Sequence, residues 1–509
     1  MAKIAGSFLG FCAIVLIAHR FGAGHQADAL FIGRIIPLML AAQIGRALSV
    51  ALVPILTEVQ TKEGTETCRA LMGRLVIPTW IFLGLFALAY YFLSPFLMRI
   101  IGAGFDAETL VLSNRVTRVL SLSIFFLGGF FLLEAFLNVH RIFLVPEILA
   151  ALLPLGTICG VLILANDFGI VGVPIGTVGG GLVMFLILWS FVRIRFKVKI
   201  LSRFTNLYPF LKRAFAQIVP VLWGTSAGQI STAVARAFAT TLGPGRVSVL
   251  SYGHRVCTGF PYLWGLAIGK VLLPHFCEQA VAKGQEDLKK SVTVFIRIML
   301  LLFVPYSAAL IILSLPLTAL IFGHGAFTEA DVHRTASVIS YYAPAITFGA
   351  VNLIAMRTFF SLQRASVIFI TATVFLLTSV ALSLILMRYL GVQGLALAYS
   401  LALFVQMSLV LSLLAKEIGN FFQKDVFIFA LKVMLAAGVS SGIVHAFLLV
   451  FQFPYDLKTA FLLCLFGIVM ISLFYVSILW RLKTPEIIVL LNVIGKRADR
   501  CLRPRRVSR

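Results

Sequence analysis

Acid is what this chain holds least of. Its 509 residues contain 19 Asp and Glu against 43 Lys and Arg, for a formal net charge of +24. Charged residues of both signs make up only 12%, while 60% are hydrophobic. That balance excludes a soluble globular protein of this length. It also changes what the positive charge means. On a soluble domain a basic excess points to nucleic acid; on a chain this apolar it belongs to the cytoplasmic loops of a membrane protein, and no nucleic-acid partner is expected. No stretch matches GxxxxGK[ST], and neither a His/Glu metal motif nor a nucleophile–base constellation is present in the sequence, so it reads as a non-enzyme without a cofactor. Cysteines number seven and lack metal spacing. Cys12, Cys159, Cys257 and Cys464 lie inside apolar runs and read as small buried hydrophobes. A cleavable signal is also missing: the first apolar run starts at Ile4 without a signal-peptidase-like end, and reads as a helix that stays.

What the chain does have is a succession of apolar runs, each long enough to cross roughly 30 Å of hydrocarbon as a helix. Barrel strands would be about ten residues long with alternating polarity. The expected fold is therefore an all-α polytopic membrane protein. Fourteen spans are expected, at about 4–18, 30–56, 71–93, 116–138, 142–164, 169–192, 215–240, 247–273, 292–313, 336–360, 366–387, 394–414, 427–451 and 459–480. An even number puts both termini on one side. That side carries about 26 Lys and Arg and the other about 7, so the termini are expected in the cytoplasm.

One stretch occurs twice. Phe21-Gly22-Ala23-Gly24 is followed by Arg34 and then by Pro54-Ile55-Leu56-Thr57-Glu58. Leu242-Gly243-Pro244-Gly245 is followed by Arg255 and then by Pro274-His275-Phe276-Cys277-Glu278. The offset that carries Arg34 onto Arg255 also carries Pro95, Gly102 and Gly104 onto Pro316, Gly323 and Gly325. Such self-similarity marks a duplicated unit. The expected organisation is a first six-helix lobe over 1–192, a basic cytoplasmic linker over 193–213 and a second six-helix lobe over 214–414. Two additional helices follow within 415–480, then a basic cytoplasmic tail over 481–509. Each lobe has an even number of helices, so the two share one topology, a parallel repeat.

Charges inside apolar spans are costly and face a cavity or a partner. Span 2 carries Arg34 and Arg46, the latter on one face with Gln43 and Ser49. Span 7 carries Gln229, Thr232 and Arg236, and span 8 carries Tyr252, Arg255 and Lys270. Pro37 and Pro261 are expected to bend spans 2 and 8. The functional reading is a cationic, partly polar central cavity for an anionic headgroup, because the planar fork of Arg makes paired hydrogen bonds to phosphate. The alternative for Arg34, Arg46, Arg236 and Lys270 is snorkelling to an interface. Asp28, six residues before Arg34, either caps its helix or pairs with an arginine. Glu134 is a candidate for binding a proton or a cation, and His254 reads as structural. The glycines at 176 and 179–181 lie inside a span and read as close helix packing.

These residues resemble a known family. Phe21-Gly22-Ala23-Gly24, Asp28-Ala29, Phe31 and Val53-Pro54-Ile55-Leu56 are similar to the N-terminal signature of the MurJ/MviN lipid II flippases of the MOP exporter superfamily. Gln229-Ile230-Ser231, Arg255 with Pro261, Leu273-Pro274, Pro316-Leu317 and Gly325 to Thr328 extend the match over most of the chain. The resemblance implies fourteen helices in two lobes, with alternating access driven by membrane potential or a monovalent cation. It implies a peptidoglycan precursor on undecaprenyl pyrophosphate as substrate, a bacterial inner-membrane location and other cell-wall synthesis proteins as partners. It makes Arg255 a substrate-contacting arginine and Asp28 a functional aspartate. The chain departs from the family where the first helix usually carries arginines: here it reads Ser7-Phe8 and Gly10-Phe11-Cys12-Ala13-Ile14. The family's Leu-Arg-Arg in the second helix reads Met39-Leu40-Ala41-Ala42. The site residues expected to bind substrate are Arg255, Arg46, Arg34, Arg236, Asp28, Gln229 and Lys270. Alternative readings are a flippase for another lipid-linked glycan, a cation-coupled multidrug exporter of the same superfamily, and a scaffold whose transport site has decayed.

Overall fold

The structure, a computed structural model, describes residues 2–198, 226–259, 276, 285–362, 364–419, 421, 424–450 and 456–484. Lys270, Pro261, Tyr262, most of the basic linker and the tail beyond 484 lie outside the described residues. Among the described residues every element is helical. Eleven helical stretches among the described residues are long and apolar enough to cross a membrane. They coincide with expected spans, one of them, Leu144–Phe196, covering the fifth and sixth together.

The chain divides into two compact units. The first comprises Met1–Leu263, Ile321–Val338 and Ile368–Ala402. It begins with α1 (Ala2–Phe21), α2 (His25–Gly33), α3 (Ile35–Ile101) and α4 (Ala107–Val139). Although α3 runs for 67 residues, Gly64 sits at φ 90° inside it, where an L side chain is strained. That point divides the stretch into two crossings, His25–Glu63 and Thr65–Ile101. The two halves and α4 share a core in which Leu56, Leu71, Met72, Leu133 and Phe136 are fully buried. The opposite face of α3 presents Phe82, Leu85, Phe92 and Phe96 outward, more than half exposed, as acyl chains rather than water would favour.

Next come α5 (Leu144–Leu149), α6 (Leu152–Cys159), α7 (Ala165–Phe168) and α8 (Gly172–Phe196), with a wide π turn over Gly160–Leu164. Gly156 and Gly160 meet Gly172, Gly176 and Gly180 so closely that a methyl group at any of them would strike backbone of the other strip. Of the glycine run expected to pack closely, Gly176 and Gly180 do so, whereas Gly179 faces open space and Gly181 makes only ordinary contacts; between helices in lipid, dispersion from small-residue contact is the attraction on offer. Cys159 faces outward rather than inward and Cys12 is half-buried, a correction to the reading of both as buried hydrophobes. Lipid is as apolar as a protein interior, so hydropathy cannot tell the two surroundings apart.

Two more helices of this unit, α9 (226–240) and α10 (246–259), open the second repeat copy. The second unit comprises Trp264–Leu320, Ile339–Val367 and Leu403–Arg509. In it α11 (Gln285–Ile312) packs on α16 (Lys424–Val450) and α17 (Leu457–Arg481). Leu301, Phe429, Val433, Tyr475 and Leu479 form that core, and the Tyr475 hydroxyl donates to the Leu301 carbonyl at 2.9 Å. Between them in sequence lie α12 (Ser314–Phe322), α13 (Glu329–Ser361), α14 (Ala365–Leu390) and α15 (Val392–Ile418), all four of which contribute to both units. Buried polar groups of the second unit pair with each other: Ser307 with Thr347 at 2.8 Å, and the Asn352 amide donating to Gln406 at 3.0 Å. In hydrocarbon such groups have no water to turn to.

Candidate functional site

The site is built where the two repeat copies meet inside the first unit. On the first copy, α2 ends at Gly33 and α3 begins at Ile35, leaving Arg34 at the joint. Pro37 accounts for the break. It has no N–H for the Gly33 carbonyl, and its ring crowds that carbonyl. Gly33 itself abuts the Ser113 carbonyl and Val116, with no room for a β-carbon. The joint thus sits tightly against α4, and Arg34 leaves it half-buried, with Cζ 5.9 Å from the centre of the Phe31 ring.

On the second copy, a turn with Gly243 at φ 98° and Gly245 at φ 78° leads into α10. Asp28, 1% exposed, reaches across to this turn. Its carboxylate accepts from the Gly245 N–H at 2.6 Å, the Ser248 N–H at 2.7 Å and the Ser248 hydroxyl at 2.7 Å. A helix start leaves its first N–H groups unsatisfied, and an anion there is stabilising. Asp28 therefore caps a helix, but α10 rather than its own α2, which corrects the expectation of a local cap. These three bonds take up both of its oxygens.

Equivalent residues of the two copies also touch. Phe31 and Tyr252, related by the repeat offset, meet edge to face with ring centres 5.1 Å apart. Tyr252 is fully buried and donates to the Gly22 carbonyl at 2.9 Å. The glycine loops interlock reciprocally. The Gly104 N–H donates to the Thr240 hydroxyl at 3.2 Å at the end of α9, and the Ala326 N–H donates to the His19 carbonyl at 2.7 Å at the end of α1. His19 and Thr240 are themselves equivalent in the repeat. A β-carbon on Gly104 or Gly325 would strike the other copy's helix end.

Next to this junction the arginines gather. The positive charges of Arg236 and Arg255 act on Arg34, and the same two act on His254. Each of these side chains is half-buried. One guanidinium nitrogen of Arg255 lies 3.0 Å from where a β-carbon would stand on Gly10, so Arg255 rests against the bare backbone of α1. Gln229 is drawn toward the first copy, accepting from the Gln43 amide at 3.4 Å. Arg46 is also half-buried but lies a little over three helical turns beyond Arg34, about 18 Å along a helix. Of the residues expected at the site, Arg236 and Arg255 lie within electrostatic reach of Arg34, Gln229 bonds α3, Arg46 lies further along α3 from Arg34, Asp28 serves as a cap, and Lys270 lies outside the described residues. Sequence reasoning missed Gly10, Ser248 and the closeness of His254. Ser248 carried a signal, standing three residues after Gly245 where a helix start is usually capped; Gly10 carried none.

Like charges held together at low dielectric raise one another's energy, and an anion placed among them lowers it. The arrangement is thus suited to holding a phosphate-bearing group inside an apolar bundle. The fold belongs to a known class of transporter: a multidrug resistance MATE transporter of the MOP superfamily, in an inward-facing conformation, aligns with 82% of this chain and 95% of its own at a TM-score of 0.71 and 16% identity. A lipid II flippase MurJ in an inward closed conformation aligns with 95% of this chain and 98% of its own at a TM-score of 0.79 and 23% identity. The description of the lipid II flippase MurJ family matches residues 17–466, and the chain belongs to that family. Relatives include the lipid II flippase MurJ of Burkholderia cenocepacia, 26% identical over 68% of each chain. The probable lipid II flippase MurJ of Thermotoga maritima is 26% identical over 90% of this chain and 91% of its own.

Proposed function

We propose that this protein is a lipid II flippase, which moves the peptidoglycan precursor from the cytoplasmic to the outer leaflet by alternating access. The observation that carries the reading is family membership over 17–466, supported by Arg255 and Arg236 lying within electrostatic reach of Arg34 in one unit. The substrate's diphosphate is the group these cations suit. Guanidinium forks bind phosphate oxygens in pairs, and in a site shielded from water such bonds are about twice as strong as neutral ones. The remainder of the substrate supplies a sugar to the polar side chains and a polyprenyl tail to the lipid. Coupling to membrane potential or a monovalent cation would drive the cycle, in the bacterial inner membrane with both termini cytoplasmic. The basic excess of the expected terminus-side loops supports that orientation.

The test is complementation. Expression in a bacterium depleted of its own lipid II flippase should restore growth, and Arg255→Ala should abolish the rescue while the protein still inserts. If the wild-type protein inserts without rescuing growth, and its removal from its own host leaves lipid II evenly distributed between leaflets, the reading is wrong. Accumulation of a different lipid-linked glycan on the cytoplasmic leaflet would identify the other substrate class.

A further inference from the structure

We propose that Arg115 and Arg118, beside Tyr91, form a seat for the phosphate of an anionic phospholipid. The lipid belongs to the leaflet on the side of the α3–α4 turn, the outer one under the orientation proposed above. The inference needs only that the chain spans a membrane and does not depend on what it transports. A charge inside an apolar span needs a partner, and the protein supplies Arg118 with no acceptor. Its Cζ lies 5.0 Å from the centre of the Tyr91 ring. Its Nε is buried and bonds nothing, and its Nη groups have no hydrogen bond or ion pair among the described residues. Arg115, one turn nearer the start of α4, is exposed and equally without a hydrogen bond or ion pair among the described residues. The acids of the turn do not neutralise them. Asp106 faces His25 at 3.5 Å, and Glu108 precedes Arg115 by seven residues, about 10 Å along the helix.

Depth fits a lipid phosphate. The 33 residues of α4 span about 50 Å, so a hydrocarbon layer of about 30 Å leaves about 10 Å of helix beyond it at each end. Arg115 and Arg118 stand eight and eleven residues past Ala107, about 12 and 17 Å along the axis. They lie just inside the hydrocarbon boundary, and a long side chain there reaches back to the headgroups. Tyr91 is ten residues before the end of α3, at a similar depth, where tyrosines gather at membrane interfaces. Val111, Arg115, Arg118 and Leu122 share one face of α4. Val111 and Leu122 are about half exposed on it, and Phe92 beside Tyr91 is 71% exposed. That apolar surround is open to a lipid and unsuited to phosphate from solution. Arginines three residues apart are neighbours on a helix and can converge on one phosphate. Stacking on Tyr91 holds the Arg118 plane and leaves its Nη edge free. Two cations without a counter-ion favour a lipid of net negative charge, such as phosphatidylglycerol. They disfavour phosphatidylethanolamine, whose ammonium they repel.

The measurement is local quenching in the full-length protein, reconstituted in phosphatidylcholine vesicles. Tyr91→Trp keeps an aromatic face for Arg118 and adds a reporter, read as the difference from the protein without it. Phosphatidylglycerol or phosphatidylethanolamine, brominated on the acyl chains, is titrated in as the quencher. Half-maximal quenching of the reporter should need about twentyfold less phosphatidylglycerol than phosphatidylethanolamine, roughly fivefold for each cation. In the reporter background Arg118→Gln and Arg115→Gln should each lower that preference by about fivefold, and the double variant should erase it. Arg118→Lys, which keeps the charge, should lose less than Arg118→Gln. Arg195→Gln, an exposed cation at the far end of α8, should leave the preference unchanged. Arg115→Gln, at an exposed position, carries the test if Arg118→Gln does not insert. Equal quenching by the two lipids overturns the proposal, as does a preference that survives the loss of either arginine. A fall with Arg195→Gln as large as with Arg115→Gln also overturns it, because the preference would then belong to the net charge of the protein and not to a seat.

Discussion

The two repeat copies share their loop glycines but differ in the side chains around them. Gly22 and Gly243, Gly24 and Gly245, Gly104 and Gly325 recur, and of these Gly22, Gly245, Gly104 and Gly325 lie so close to the other copy that a β-carbon would strike its backbone. Side chains are another matter. Asp28 has Val249 as its equivalent, Arg236 has Val15, His254 has Gly33, and Tyr252 has Phe31. Only Arg34 and Arg255 are charged in both copies among these. At this junction, therefore, one pair of cations recurs, while each copy took on separate work. The first supplies the carboxylate that caps α10, and the second supplies the extra positive charge.

The comparison can be broken most directly at the cap. Asp28→Ala would strand the Gly245 and Ser248 N–H groups in a buried junction, at a cost of about 3 kcal/mol. Val249→Ala, at the equivalent position, should cost about 1 kcal/mol. Thermal unfolding of the detergent-purified protein should separate the two, and equal shifts would mean that the cap does not distinguish the copies. A smaller difference is expected between the interlocking glycines. Gly325→Ala and Gly104→Ala both drive a methyl into a neighbouring helix end. Gly325 also sits at φ 70°, so its substitution should be the worse by roughly 1 kcal/mol in the same unfolding measurement. Least of all should come from Asp106, whose equivalent is Phe327. The Thr109 hydroxyl holds the exposed Asp106 carboxyl below its ordinary value of 3.8. A carboxyl depressed on folding stabilises above its unfolded pKa and loses that contribution as pH falls through the folded one. Asp106→Asn should accordingly lower the unfolding temperature slightly at neutral pH, and the gap from wild type should close as the pH falls below 3.8.

Much of this was legible from residue order. Run length identified the helices, because a chain in hydrocarbon must satisfy its own backbone. Pro37 foretold a break near Arg34, since the missing N–H acts locally and needs no tertiary partner. The glycines at 176 and 180 announced tight packing, although their partners at 156 and 160 could be named only from coordinates. Asp28 shows the limit. Its spacing from Arg34 suggested a cap or an ion pair on its own helix, yet its partners, Gly245 and Ser248, belong to the other repeat copy. The same separation hid Gly10, which has no side chain to attract notice and acts by leaving space for Arg255.

Hydropathy, repeat offset and motif together determined that this chain is a helical membrane protein, doubled, and of which family. Those properties follow from local patterns, in which each residue's effect is set by its near neighbours. Which of the seven expected site residues meet, which helix Asp28 serves, and how Arg34 comes to lie near Arg255 were decided by packing. Contacts between one repeat copy and the other depend on where helices end and how closely their surfaces approach, and no periodicity within one helix encodes that.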